Sequence, residues 1–358
     1  MADLIALWVC PVSNLAGVAR HILDVARVGL PGYRLVVTAP EGPLLDELRR
    51  LNIAVVPWEV DGRPVRRTVA EFRRTVRRLA PAVVHSHLAK ADFLAAMATT
   101  GLPVTLISTE HHIQADQSVF HGSVVKARTR QVAHHTRIRR FDALLAVSAS
   151  TERDMRAHWR PTSPITVVRN GVDRLPTTTR GAGLRVLSLT RLSPEKNLAT
   201  TLRVFAEVHR EHPDARLTLA GEGPDAARLR RLADELGLAD IVAFPGFVDA
   251  GLAMAQHDVL LQPSLADNLS YTLLDAVNAG MGVVASDLGG NPEILPAHCL
   301  ARADDAAGLT TRVIEQGLQA ELRPSLPATI PTVAEMVDQI TEVYEATLHS
   351  TTTGTSAE

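Results

Sequence analysis

The residues best placed to do chemistry lie between Arg191 and Glu293. Arg191 and Lys196 share the run Leu189-Thr-Arg-Leu-Ser-Pro-Glu-Lys-Asn197, which joins a predicted strand to a predicted helix. Two cations beside a helix start combine fixed positive charge with unpaired backbone N–H groups, the chemistry that holds a diphosphate. Two surface cations in a loop would give the same letters. Lysine is scarce, however, with Lys90, Lys126 and Lys196 set against 34 arginines, so a lysine here stands out. Gly221 and Gly223 follow a second predicted strand, and Gly246, ahead of Phe247 and Val248, follows a third. A residue without Cβ lets main chain approach a ligand, or a flat base lie against it, although such turns are common at these junctions anyway. Asp267 and Asp275 are eight residues apart, just over two helical turns. Asp267, with backbone N–H groups from Asn268, Leu269, Ser270 and Tyr271, could meet a polar group above a helix end. Asp275 could then accept hydrogen bonds from a diol alongside. A capping aspartate followed by a solvated one is the competing reading.

Short apolar runs alternate with longer helical patterns along most of the chain. Leu4–Val9, Leu35–Val37, Ile53–Val56, Val83–His85, Val104–Ser108 and Leu144–Val147 have strand length and turn-forming flanks. Between them, Val65, Val69, Phe72, Val76 and Leu79 share one helical face, with six arginines opposite. The alternation restarts at Arg185–Leu189, after the Pro/Thr/Gly stretch 174–183, and continues through Leu217–Leu219, Ile241–Phe244, Val259–Leu261 and Val283–Ala285. Strand–helix alternation with short links predicts βαβ units and parallel sheets. A chain of 358 residues exceeds one ordinary core. The expected division is 1–176 as an N-terminal acceptor-binding domain and 184–330 as a C-terminal nucleotide-sugar-binding domain, followed by a docking helix at 331–348 and a disordered tail at 349–358. That helix is amphipathic through Met336, Ile340, Val343 and Leu348.

Composition narrows the class. No run approaches the length of a membrane-spanning helix, and Leu4–Val9 lacks the flanks of a signal peptide. Two cysteines build no disulfide framework, and no Cys/His cluster has zinc spacing, so no metal site is expected and a reducing cytoplasm fits. Residues 1–178 carry 24 Lys+Arg against 15 Asp+Glu, and the remainder 13 against 24, balances of +9 and −11. A basic half facing something anionic, such as a membrane surface or a phosphorylated substrate, is one explanation, and random drift is the other.

In series, these segments resemble the C-terminal domain of the retaining glycosyltransferases of family 4. The matching residues are Arg191-Leu…Glu195-Lys-Asn197, Gly221-Glu-Gly-Pro224, Pro263-Ser…Asp267-x7-Asp275, Ala276-Val-Asn-Ala-Gly280 and Gly289-Gly-Asn-Pro-Glu293. More loosely, Ala16-Gly17, Val84-His-Ser-His87, Thr109-Glu-His111, Ala146-Val-Ser148 and Arg169-Asn-Gly-Val-Asp173 resemble its N-terminal segments. The resemblance implies an α/β GT-B fold: two Rossmann-like domains facing each other across a cleft, with the C-terminal helix crossing back. It implies transfer of a hexose-type sugar from a nucleotide sugar, UDP- or GDP-linked, to an acceptor hydroxyl with retention of configuration. Arg191 and Lys196 would neutralise the leaving diphosphate, Asp275 would hold the ribose, and the Gly246-Phe247-Val248 backbone the base. Asp267 and the amides after it would hold the sugar, Gly17 would lie in the substrate loop, and His111 near the reacting carbon. The absence of an Asp-x-Asp motif fits a metal-independent mechanism without cofactor. Both acids are one methylene shorter than the family's glutamates, and Asn268-Leu-Ser270 replaces its Gly-Phe-Gly.

The remaining expectations are secondary. His134 and His135 sit in the basic run 126–140, read as a solvated helix that supports at most weak, reversible association with an anionic membrane at its cytoplasmic face. His85 reads as a hydrogen-bonded core residue, and His111 and His112 are the histidines to test. A dinucleotide-dependent oxidoreductase needs a Gly-x-Gly-x-x-Gly loop after the first strand, where Cys10-Pro-Val-Ser-Asn-Leu-Ala-Gly17 stands instead. A sugar-nucleotide epimerase of the same architecture, or a catalytically weakened sugar-nucleotide binder, are the alternatives. The acceptor is unassigned, and no nucleic acid partner is expected.

Overall fold

The structure, a computed structural model, describes residues 3–111, 137–176 and 180–354, the last four by backbone alone. His112, His134, His135 and residues 126–136 of the basic run lie outside the described residues, as do 355–358. Contacts divide the chain into two units, Met1–Gly171 together with Pro331–Glu358, and Val172–Ile330. Residues 172–176 belong with the second unit, where Asn278 bonds the Leu175 N–H and the Asp173 carbonyl.

The first unit is built on strands β1 (Leu4–Val9), β2 (Tyr33–Ala39), β3 (Ala54–Pro57), β4 (Val83–His87), β5 (Thr105–Glu110), β6 (Ala143–Ala146) and β7 (Ile165–Val167). They form one parallel sheet in the order β3-β2-β1-β4-β5-β6-β7. Helices α1 (Gly17–Val28), α2 (Pro43–Arg50), α3 (Val65–Leu79), α4 (Ala89–Ala98) and α5 (Ala149–Trp159) make the crossovers. Helices on both faces bury both sides of the sheet, which is why its strands read as unbroken apolar runs. On α3, Phe72 and Val76 are buried while Arg66, Arg67, Arg74, Arg77 and Arg78 are exposed.

The second unit repeats the plan. Strands β8 (Arg185–Leu189), β9 (Arg216–Ala220), β10 (Val242–Gly246), β11 (Val259–Gln262), β12 (Gly282–Ser286) and β13 (Leu300–Ala301) pair in parallel in the order β10-β9-β8-β11-β12-β13. Helices α6 (Leu198–Glu211), α7 (Ala226–Glu235), α8 (Ala250–Gln256), α9 (Tyr271–Asn278) and α10 (Ala306–Leu318) connect them. In each sheet the strand order reverses once, between β1 and β4 and between β8 and β11. Ligands of such sheets bind at the carboxyl ends of the strands beside that reversal.

The last helix, α11 (Val333–Gly354), returns to the first unit. Its Val333, Met336, Val337, Ile340, Val343 and Tyr344 complete a core containing Ala6, Trp8, Ile22 and Val37. It runs past Leu348 through 349–354, where the sequence pattern predicts a disordered tail. Hydroxyls of Thr347 and Ser350 bond carbonyls a turn earlier and continue the helix.

The basic stretch also differs from expectation at its end. Arg137, read as part of a solvated face, has a fully buried guanidinium that pairs with Asp92 and donates to Glu110 at 2.8 Å. The buried guanidinium is tolerated there because two carboxyl groups surround it.

Candidate functional site

The second unit assembles its candidate site from the loops after β8 and β11. After β8, Pro194–Lys196 form one turn of 3-10 helix, and Asn197 adopts a left-handed conformation at φ 53 ahead of α6. The Asn197 amide donates to the Pro263 and Ala303 carbonyls at 3.0 and 3.1 Å, locking this loop to the one after β11. Lys196 Nζ therefore reaches Asp267 Oδ2 at 3.2 Å, with both side chains largely buried. The same oxygen accepts from the Gln262 amide at 2.6 Å, while Asp267 Oδ1 accepts the Asn268 N–H at 3.1 Å. Gln262 also reaches Ser270 Oγ at 3.2 Å, and Ser270, not Asp267, caps α9 by accepting from the Leu273 N–H.

Arg191 is placed elsewhere. Its guanidinium is 70% exposed and donates to Glu195 at 2.5 Å, where the Ser193 hydroxyl joins at 2.6 Å. The structure thus brings Lys196, Asp267, Asn268 and Ser270 together and leaves Arg191 on Glu195. Leu269 and Tyr271 are buried beside them, and Asp275 is half-buried on α9, about one turn beyond its start, because the helix begins at Tyr271 and not at Asp267. Gly246 has φ +78, and Phe247 beside it is 73% exposed, with Val248 following.

The glycines answer to main chain. A Cβ on Gly221 would stand 1.9 Å from the Thr190 carbonyl, and one on Gly223 would stand 2.2 Å from that of Leu192. They let the loop after β9 pack against the loop carrying Arg191. Gly289 has φ +55, and a Cβ there would stand 1.9 Å from the Asp267 carbonyl. This turn, with Asn197, is the support behind the site, and the positive φ explains why it needs glycine.

The first unit gathers imidazoles at its own strand-order reversal. His87 ends β4, His111 follows β5, and His21 lies on α1. His87 Nδ1 and His111 Nε2 are 2.9 Å apart, and the three side chains each offer one ligand atom within 4.8 Å of the others. Spacing in the sequence gives no sign of this cluster. Burial, opposed by a hydrogen bond to Asn170, lowers the His21 pKa to about 4. Burial first, and neighbouring imidazoles second, hold His85, His87 and His111 well below the ordinary histidine value. His85 lies behind them: Trp8 Nε1 donates to Tyr344 Oη at 2.8 Å, and that oxygen lies 2.5 Å from His85 Nδ1. His85 Nε2 lies 2.7 Å from Thr109 Oγ1, so both ring nitrogens are hydrogen-bonded. Gly17 opens α1 and is exposed.

Comparison with known proteins agrees with this architecture. Residues 15–174 match the model described as Glycosyltransferase Family 4, and residues 183–316 that of Glycosyl transferases group 1. The chain is 30% identical over 360 residues to a glycogen synthase of Mycobacterium tuberculosis, covering 87% of this chain and 85% of that protein. It is 28% identical over 220 residues to the putative colanic acid biosynthesis glycosyltransferase WcaL of Salmonella typhimurium, covering 55% of this chain and about half, 54%, of that relative's length. The structure of Anabaena Alr3699/HepE in complex with UDP-glucose superposes with a TM-score of 0.74 at 18% identity, covering 96% of this chain and all of the other, 100%. Two parallel Rossmann-like sheets, a C-terminal helix returning to the first of them, and these matches across both units establish that the chain belongs to the family 4 glycosyltransferases and has their GT-B fold.

Proposed function

We propose that the chain transfers a hexose-type sugar from a nucleoside-diphosphate sugar, UDP- or GDP-linked, to an acceptor hydroxyl with retention of anomeric configuration. The observation that carries this reading is the Lys196–Asp267 pair at the strand-order reversal of the second sheet. Lys196 meets the leaving diphosphate, where negative charge develops and a fixed cation contributes most. Arg191 joins it, since its exposed pair with Glu195 is worth no more than about 1 kcal/mol and gives way readily. Asp267 and the backbone from Asn268 to Tyr271 hold the sugar, Asp275 the ribose, and Gly246–Val248 the base. His111 is the contribution assigned to the first unit. On this reading Lys196 and Arg191 neutralise the diphosphate, and transfer proceeds without a metal or other cofactor. The UDP-glucose complex of the Anabaena protein supports the donor class. The exposed arginines of α3 support weak, reversible association with an anionic, cytoplasmic membrane face.

The test is nucleoside-diphosphate release from a panel of UDP-, GDP-, ADP- and dTDP-sugars, with a chelator present, by the wild-type chain and by Lys196→Ala. At least one donor should turn over, and the variant should lose roughly 100-fold or more in kcat with an unchanged circular-dichroism spectrum. Full activity in Lys196→Ala overturns the role. An inert wild type that still binds nucleotide overturns the activity.

A further inference from the structure

We propose that His21, His87 and His111 form a binding site for one transition-metal ion of the zinc class, Zn2+ or its analogues Co2+ and Ni2+. The three ligands come from α1, the end of β4 and the residue after β5, so the sheet itself fixes two of them on neighbouring strands. Their ligand atoms already lie within 4.8 Å of one another. Zinc–nitrogen bonds of about 2.0–2.1 Å in a tetrahedron place nitrogens about 3.3 Å apart, so closing on an ion asks for movements of roughly 1.5 Å at most.

A packed group of core histidines is the plainer explanation, and one atom argues against it. His87 is fully buried, its Nδ1 faces His111, and its Nε2 has no hydrogen-bond partner among the described residues. A buried polar atom of this kind calls for an explanation, and an ion or an ordered water supplies one. The chemistry of the donors agrees. Imidazole nitrogen is a donor that these metals accept readily. An all-nitrogen set suits Zn2+, Co2+ and Ni2+ and excludes Mg2+ and Ca2+, which take oxygen. Three protein ligands leave a fourth position for water or an anion. Outer contacts are in place as well: Asn170 bonds His21, and Trp8 packs on His87 with ring centres 4.6 Å apart. The three ligands belong to the first unit and the diphosphate groups to the second, and the proposal holds whether or not sugar is transferred, because the test reads metal alone.

The experiment titrates the full-length chain, freed of metal by chelator and dialysis, with Co2+. One equivalent should produce the intense visible bands of tetrahedral cobalt and quench Trp8, Zn2+ should displace it, and Mg2+ should not. His21→Ala and His87→Ala should each weaken binding more than the roughly 10–100-fold that loss of an outer partner costs. The double variant His134→Ala/His135→Ala should bind as wild type. Should the alanine variants fail to fold, His87→Cys decides the matter: a ligating thiolate adds a near-ultraviolet charge-transfer band to the cobalt spectrum. No tetrahedral band in the wild type, binding indifferent to His21 and His87, binding lost in the His134/His135 variant, or no charge-transfer band in a folded His87→Cys chain each overturn the site.

Discussion

Replacing Tyr344 by Phe removes one oxygen from the centre of the first unit and leaves the ring that fills the space. That oxygen accepts from Trp8 Nε1 at 2.8 Å and meets His85 Nδ1 at 2.5 Å, and all three side chains are fully buried. The variant therefore strands two buried polar atoms without opening a cavity. Each unsatisfied group costs about 1–3 kcal/mol, so the pair should cost roughly 2–6 kcal/mol, a large share of the 5–15 kcal/mol that holds a domain together. With a urea m-value near 3 kcal/mol/M, the midpoint should fall by about 0.7–2 M. Tryptophan fluorescence is the assay, because Trp8, Trp58 and Trp159 all belong to the first unit and report on it alone. Glu342→Gln, exposed on the same helix, is the control and should stay within about 0.5 kcal/mol. A Tyr344→Phe chain that unfolds within that same margin of wild type would show that α11 is held by apolar packing alone.

Three further outcomes follow from particular contacts. Gly289→Ala should lower both the stability of the second unit and nucleotide-sugar affinity, since the added carbon meets the Asp267 carbonyl at a left-handed φ; calorimetric titration with an unchanged Kd would contradict this. Burial pushes the Cys10 thiol up to about 11 and the Cys299 thiol up to about 12, and both are fully covered, so neither should react with a disulfide reagent at pH 8 until guanidinium is added. Burial raises the Asp258 carboxyl, but hydrogen bonds from Arg185 outweigh it and hold the pKa below the ordinary value. A depressed carboxyl stabilises above its unfolded pKa and loses that stabilisation as pH falls through the folded one. Asp258→Asn should then cost about 1.5–3 kcal/mol at neutral pH by circular dichroism, with the difference from wild type vanishing in acid.

The alternation of strands and helices was legible because each buried strand is a short apolar run between turn residues. Two strands escaped: β7, three residues of alternating exposure, and β13, two residues at a sheet edge. Both are too short to show a period. Lys196 and Asp267 stand out singly as motif residues, but 71 positions separate them, and no local pattern announces that they pair. Arg137 was hidden for the same reason, its partners Asp92 and Glu110 lying 45 and 27 residues back. The histidine cluster is the extreme case. Spacings of 66 and 24 residues match no ligand signature. Only the parallel sheet, which sets the ends of β4 and β5 side by side near the start of α1, makes them neighbours.

The return of α11 also constrains when the first unit can be finished. Its core draws on Val333 through Tyr344, yet the 159 residues of Val172–Ile330 are synthesised in between. At about 5–20 residues per second, the ribosome needs roughly 8–30 s to make that insert. For that interval the nascent first unit exposes the apolar groove around Ala6, Trp8 and Ile22 that α11 will cover, and at its end the second unit has its whole sequence. The domain encoded first is therefore the domain completed last, and chaperone contact during synthesis should concentrate on that groove.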